Sequence, residues 1–279
     1  MAFPINSNNS FPSRSISSAQ KSQNEAMQRL SSMLRINSAK DDAAGSAIFQ
    51  RQTAQIRGSN QAIRNANDGI SFSQTAQGEL KQATSNLQRM RELAVQAANA
   101  TTSNRGAIQA EVNQLSQENT RLSESASFGG QSIFPSNSKS ISFQVGANAD
   151  SSNQISVNLE SLESLNSVNS EQGDNSIDLS SAESAQLAIK QIDADLEAVS
   201  SQASNFGVME SRLNAAISNA EESSINMQAS RSRMGDADVA KEVSKLIQAQ
   251  ALTKASIFAA SQGNQTKKMV LSLLGGGSS

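Results

Sequence analysis

The 279 residues contain no cysteine, histidine, tryptophan or tyrosine, and aromatic residues make up only 3% of the chain. Without cysteine there is no disulfide and no thiolate, so the chain is indifferent to redox compartment. Asp41 and Asp42 are neighbours whose side chains diverge on a helix. No histidine or cysteine exists to complete a metal site with them. The other acids and lysines are scattered along helix faces, which gives no nucleophile–base pair. The glycines at 275–277 follow no strand and form no phosphate loop. Composition therefore points away from an enzyme, with no catalytic, cofactor-binding or metal site expected. A net charge of −2 and a pI near 5.4 supply no basic field for nucleic acid. No apolar run reaches the ~18 residues of a membrane-spanning helix, so no membrane insertion is expected. The opening MAFPINSNNSFPSRS lacks the charged start and apolar middle of a cleaved signal peptide.

What is abundant is Ala, Ser, Gln and Asn. A thick core needs rings and branched aliphatics, whereas a thin bundle of long helices is built from Leu, Ile and Ala. The expected fold is mainly α: an elongated antiparallel coiled-coil or helical bundle with a small β-hairpin insertion. The terminal helices are expected to pair as a second coiled coil.

Residues 1–15 carry Pro4 and Pro12 and read as poorly ordered alone. A weak apolar seam then runs through Ile16, Ala19, Ala26, Leu30 and Met33, marginal in water without a partner. Ser38-Ala39-Lys40-Asp41 has the form of a capping box and is expected to open the next helix. That helix runs to about Asn99 through Ile56, Ile63 and Ile70, then Leu80, Leu87 and Ala94 beside Ala76, Ala83 and Met90. Asn67-Asp68-Gly69 resembles a turn, but the apolar period passes through it unbroken. Residues 100–106 form a polar break, after which Ile108, Val112, Leu115 and Leu122 mark a further helix with Asn119 in its seam.

From 128 the period changes to two. Ile141, Phe143 and Val145, then Ile155, Val157 and Leu159, read as a hairpin with one buried face, and 160–181 as a surface loop or small elaboration. Between 182 and 227 one heptad position reads Ala185, Ile192, Val199, Phe206, Leu213, Ala220, Met227. Its companion is apolar except at Glu210 and Ser224. Such a helix is about 70 Å long at 1.5 Å per residue. Gly235-Asp236-Ala237-Asp238 interrupts it, and Val239–Gln262 resumes. The most apolar stretch is Met269–Leu274, a liability unless something covers it. The expected organisation is a terminal coiled-coil domain from 1–39 and 235–279, and a helical bundle from 40–127 and 180–234. Residues 128–179 supply its hairpin and loop.

Five segments occur in one order: RLSSMLRINSAKDDAAG (Arg29–Gly45), RNANDGIS (Arg64–Ser71), LQRMRELAVQAAN (Leu87–Asn99), FQVGANA (Phe143–Ala149) and VLSLL (Val270–Leu274). Together they resemble bacterial flagellin, and the resemblance covers nearly the whole chain. It implies a structural subunit that self-assembles into the flagellar filament for motility, with the terminal domain lining the filament. It further implies an extracellular location, reached without a cleaved signal peptide through the flagellum's own type III export apparatus. Implied partners are further copies of the chain, the flagellar cap, the hook-associated proteins and an export chaperone. Two other readings stand beside it. A hook–filament junction protein is a relative of flagellin, but LRINSAKDDAAG resembles flagellin itself more closely. The cytoplasmic helical hairpin of a chemotaxis receptor shares the composition, but leaves FQVGANA and VLSLL without a role.

In flagellins resembling this chain, the stretches matching Gln88–Leu93 and Ile108–Glu111 are those sensed by Toll-like receptor 5. The resemblance thus implies a combined subunit-interface and receptor patch at Gln88, Arg89, Leu93 and Glu111. Arg89 and Leu93 are i, i+4 neighbours, which gives the patch an expected apolar centre. Ser161, Ser164, Ser167, Ser170 and Ser176 lie in polar sequence and are the expected acceptors of any O-linked sugar.

Overall fold

The computed structural model describes residues 10–99, 101, 103–162, 165 and 177–275, without the side chains of 10–12, 267, 270, 271 and 273–275. Among the described residues there are five α-helices: α1 (Ser10–Ser32), α2 (Ala43–Ala97), α3 (Arg105–Ser125), α4 (Ala182–Gly235) and α5 (Val239–Gly275). Two antiparallel strand pairs lie between α3 and α4: β1 (Ser127–Phe128) with β2 (Gln131–Ser132), and β3 (Lys139–Gln144) with β4 (Gln154–Leu159). The chain forms two compact units, residues 55–225 and residues 1–54 with 226–279.

In the 55–225 unit, α2 and α4 run antiparallel, as shown by Ser73 Oγ donating to the Phe206 carbonyl (2.9 Å) and Arg91 pairing with Asp193 (2.6 Å). The heptad stripe is confirmed where it matters most. Ala185, Ile192, Val199, Phe206 and Leu213 are all fully buried, and meet Ala76, Leu80, Leu87 and Met90 of α2 in one core. Glu210 breaks the companion stripe without cost, because its carboxylate accepts from Gln74 Nε2 (3.1 Å) and Gln77 Nε2 (3.4 Å). Ser224 likewise reaches Asn60 Oδ1 at 3.3 Å. Helix α2 passes straight through Asn67-Asp68-Gly69, as the unbroken period required. Its carboxyl end is closed by Arg105, whose guanidinium donates to the carbonyls of Ala97 (2.9 Å) and Asn99 (2.7 Å).

Strands β3 and β4 pair Ile141 with Val157 and Phe143 with Ile155, and bury Ile155, Val157 and Leu159. The hairpin sits on α2 at two glycines eleven residues apart, which is about three turns and so one face. A Cβ at Gly58 would lie 2.6 Å from Ala147 Cβ, and one at Gly69 would lie 3.1 Å from Phe143 Cδ1. Phe143 belongs to an aromatic knot centred on Phe72. The ring of Phe72 stands 5.9 Å from Phe128, 5.9 Å from Phe143 and 6.1 Å from Phe206. One ring therefore joins α2, both strand pairs and α4.

In the other unit, α1 and α5 pack together. The segments that follow α1 and α4 pair as an antiparallel bridge between Leu34 and Asp236. Arg35 N–H donates to the Gly235 carbonyl (2.7 Å) and Ala237 N–H to the Met33 carbonyl (2.9 Å). Phe49 lies against Gly235, where a Cβ would come within 2.6 Å of its ring, and Arg231 stacks over it 5.7 Å from the centroid.

Four local expectations are corrected. Ser38–Asp41 is a turn and not the helix start. The Asp41 carboxylate accepts from the N–H groups of Asn37 and Ser38 and from the Ser38 hydroxyl, closing the turn on itself. Asp42 is the cap, accepting the Gly45 N–H at 2.8 Å. Within 160–181, Leu162, Leu165, Ile177 and Leu179 are core residues, and Gln109 holds the backbone by donating to the Ile177 carbonyl (2.8 Å) and accepting the Leu179 N–H (2.7 Å). A second strand pair, 127–128 with 131–132, accompanies the expected hairpin. It is made possible by Gly129 (φ 59°) and Gly130 (φ 82°), both in the left-handed region. Finally, α1 begins at Ser10 and tolerates Pro12 in its first turn, and α5 continues past Gln262 to Gly275.

Two outcomes follow. Phe72→Ala removes the ring shared by four elements and is expected to cost about 3–5 kcal/mol, read as a lower urea midpoint for the 55–225 unit. The backbone N–H of Ser38, then that of Asn37, hold the Asp41 carboxyl below its usual range. A depressed folded pKa stabilises above the unfolded value and is lost as pH falls through the folded one. The 37–42 turn should therefore loosen only below about pH 4, seen as faster amide exchange at Asn37 and Ser38, and Asp41→Asn should abolish that pH dependence.

Candidate interaction surfaces

Among the described residues no three acidic side chains converge as a metal site, and no helix is long and apolar enough to cross a membrane. What the surface offers instead is two patches, one in each unit.

The first lies where α2 faces α3. Arg89 donates through Nη2 (2.7 Å) and Nε (3.0 Å) to Glu111 Oε1, and through Nη1 to Glu92 Oε2 (3.3 Å). The Glu111 hydrogen bond and charge, then Glu92, raise the Arg89 pKa further and leave the guanidinium permanently charged. Gln88 and Arg89 are exposed and Glu111 is partly so. The structure thus brings Arg89 and Glu111 together as expected. It does not place Leu93 with them at the surface. Leu93 is 3% exposed and belongs to the core with Ile108 and Val112. The reason is that the apolar stripe of α2 passes through Met90, Leu93 and Ala94, one helical step around from Arg89. The patch is therefore polar, with no apolar centre.

Just beneath it, Asn119 occupies the seam between α3 and α2 and is 3% exposed. Its Oδ1 accepts from Asn86 Nδ2 at 2.8 Å and its own Nδ2 lies 3.9 Å from Met90 Sδ. The polar residue in an apolar stripe is thus matched by a polar partner. On the opposite flank Arg91 holds Asp193 through Nε at 2.6 Å.

Of the serines expected to accept sugar, Ser161 is buried at 9% exposure, because it leads into Leu162 and Leu165 in the core. It is not the exposed acceptor expected. Ser164, Ser167, Ser170 and Ser176 lie outside the described residues.

The second patch is on α5. Val239, Val243, Ile247, Leu252, Ile257, Phe258 and Met269 are exposed, Ile247 and Leu252 each at 60% and Phe258 at 70%. Against α1 the helix buries Ala249 and Glu242. Exposed apolar side chains in this number on one helix form a patch of the kind that interaction surfaces carry.

Residues 5–139 match the family described as bacterial flagellin N-terminal helical region, and residues 189–274 match the bacterial flagellin C-terminal helical region. The chain is 40% identical to a flagellin of Halalkalibacterium halodurans, covering 90% of this chain and 91% of that one. It is 38% identical to a flagellin of Bacillus subtilis over 93% and 95% of the two chains. A flagellar filament 33 kDa core protein of Treponema phagedenis is 35% identical, over 95% and 96%. The chain belongs to the bacterial flagellin family. As a flagellin it is a structural protein, a subunit that polymerises into the extracellular flagellar filament. The hook-junction and chemoreceptor readings are not favoured by these relatives.

The burial of Leu93 separates two substitutions on neighbouring turns. Leu93→Ala opens a cavity and is expected to destabilise the 55–225 unit by about 2–5 kcal/mol. Arg89→Ala breaks an exposed pair and should leave the urea midpoint nearly unchanged. Equal midpoints for the two variants would show that Leu93 does not support the core.

Proposed function

We propose that filament growth buries the α5 surface of each copy against its neighbours, and that α1 and α5 gain most of their stability at that step. The supporting observation is the imbalance in the terminal unit. Among the described side chains of α1 the buried hydrophobics are Ala19 and Ala26, while Ile247, Leu252, Ile257 and Phe258 of α5 face solvent. Burying each such side chain contributes about 1.5–3 kcal/mol, far more than those alanines supply. The chain reaches the growing end through the flagellum's own export apparatus, with no cleaved signal peptide and with an export chaperone shielding the apolar helix. The flagellar cap and hook-associated proteins bound the polymer at its ends. These partners rest on family membership.

The Gln88–Arg89–Glu111 patch serves both lateral packing and, in the free monomer, recognition by Toll-like receptor 5. Leu93 supports that patch from below. Sugar, where the native chain carries it, is attached at Ser164, Ser167, Ser170 or Ser176.

Seeded regrowth after heat dissociation tests the central claim. Amides of α1 and α5 should exchange faster than those of α2 in the monomer and become protected in the polymer, and removal of residues 240–279 should abolish growth. Equal protection of α1, α5 and α2 in the free monomer would overturn it. Arg89→Ala with Glu111→Ala should weaken receptor activation with helix content unchanged, and full activation by that variant would overturn the receptor assignment.

A further inference from the structure

Charge is divided unevenly between the two units. Residues 1–54 with 226–279 hold thirteen Lys and Arg against six acids, a net charge of +7, whereas residues 55–225 hold ten against nineteen, a net charge of −9. Helix α5 carries much of the positive excess, with five lysines and a single acid, Glu242. That acid is turned inward. It is 5% exposed, and its carboxylate is offset by Lys245 Nζ at 2.7 Å and Arg29 Nη1 at 3.6 Å. The outward side of α5 therefore presents no negative charge.

The same side is apolar. At 3.6 residues per turn, Val239, Val243, Ile247, Ile257, Phe258 and Met269 fall within a sector of about 120°, and all six are exposed. Leu252 stands outside it, on the groove shared with α1. Lys254 and Lys268 lie inside the sector and are exposed as well. An apolar stripe interrupted by cations and free of acids suits the headgroup layer of an anionic bilayer. There the apolar side chains enter the acyl boundary while the lysines reach back to the phosphates. A nucleic acid would meet the lysines but leave Ile257 and Phe258 wet. A purely apolar protein surface would strip the water from both ammonium groups. Among the described residues no helix is long and apolar enough to cross a membrane, so such a contact runs along the surface.

We propose that the free chain, before it polymerises, docks on anionic phospholipid membranes through this face of α5. Docking does not depend on the filament reading; a copy whose α5 is covered by neighbours has no face to offer.

The chain has no tryptophan, so one placed at Phe258 reports docking directly. With vesicles of equal parts phosphatidylglycerol and phosphatidylcholine, the emission of the Phe258→Trp monomer should shift to the blue, and brominated acyl chains should quench it. Val208→Trp, at an exposed position of α4, should do neither. Partitioning of the unsubstituted monomer onto these vesicles should exceed that onto pure phosphatidylcholine about tenfold, and should fall as salt is raised. Lys254→Glu with Lys268→Glu should remove that preference for phosphatidylglycerol. Ile257→Ser with Phe258→Ser should weaken partitioning about tenfold, with helix content unchanged because both side chains are exposed. Equal partitioning onto both kinds of vesicle, or equal quenching of the Phe258→Trp and Val208→Trp chains, overturns the proposal. Undiminished binding by the Ile257→Ser, Phe258→Ser chain overturns it too, since only adsorption of a cationic helix to a polyanion would then remain.

Discussion

The contact of Phe72 with three other rings is the interaction on which the 55–225 unit depends. The chain has nine phenylalanines and no other aromatic residue, and four of them gather here from α2, α4 and the two strand pairs. Elsewhere the seam between α2 and α4 is made of Ala, Leu, Ile, Val and Met, with no further ring. The knot supplies bulk at one level, and the rest of the packing follows from it. The hairpin has to lie close enough to α2 for Phe143 to reach Phe72. Gly69 allows that approach, and Gly58 allows the same hairpin to settle on Ala147 three turns away. Two residues with poor helix propensity thus sit inside a 55-residue helix. What they cost in propensity is offset by the docked strands.

Polar residues inside the apolar stripes follow a common rule. Glu210 faces two glutamines, Asn119 faces Asn86, and Ser224 faces Asn60. An all-aliphatic seam of this length would tolerate a slip by one heptad with little loss. A slip that separates Asn119 from Asn86 parts two buried amides, which is far more costly. The matched pairs therefore act as register marks, in the way that a single buried asparagine does in a coiled coil. Periodicity alone identified the positions of Glu210 and Asn119 and could not supply their partners, since those lie on another helix.

That limit recurs wherever the sequence and the structure part. The long helices were legible because their signal repeats over many turns, enough to override Asn67-Asp68-Gly69. The β3–β4 pairing was legible because alternation on both sides of a polar loop selects one register. Phe72 stands four residues before the Ala76–Ala83–Met90 stripe, and periodicity does not mark it as the centre of a ring cluster whose other members lie on distant segments. The Ser38 cap was misplaced because two aspartates follow one another, and which carboxylate caps depends on a turn geometry that no pattern encodes. Leu162, Leu165, Ile177 and Leu179 were invisible against serine-rich surroundings, since isolated leucines carry no period. At the α2–α3 patch, the resemblance groups Arg89 with Glu111, and the two are joined in the structure. The i, i+4 pairing of Arg89 with Leu93 misleads, because such neighbours lie some 40° apart around the helix. That is enough to move one side chain from surface to core.

The terminal unit reverses the logic of the other one. There, backbone pairing at Leu34–Asp236 and the capping of α5 by Asp238, which accepts the Lys241 N–H at 3.1 Å, set where the helices begin. Side-chain burial between α1 and α5 adds little beyond three alanines and Glu242. Direction is thus specified locally and cheaply, while the bulky apolar residues of α5 are left out of the intramolecular contact. A pair of helices meant to be stable alone would turn Ile247 and Phe258 toward α1. Their outward placement is what the proposed burial of α5 against neighbouring copies accounts for, since a surface supplied by another copy would then complete the core that α1 leaves open.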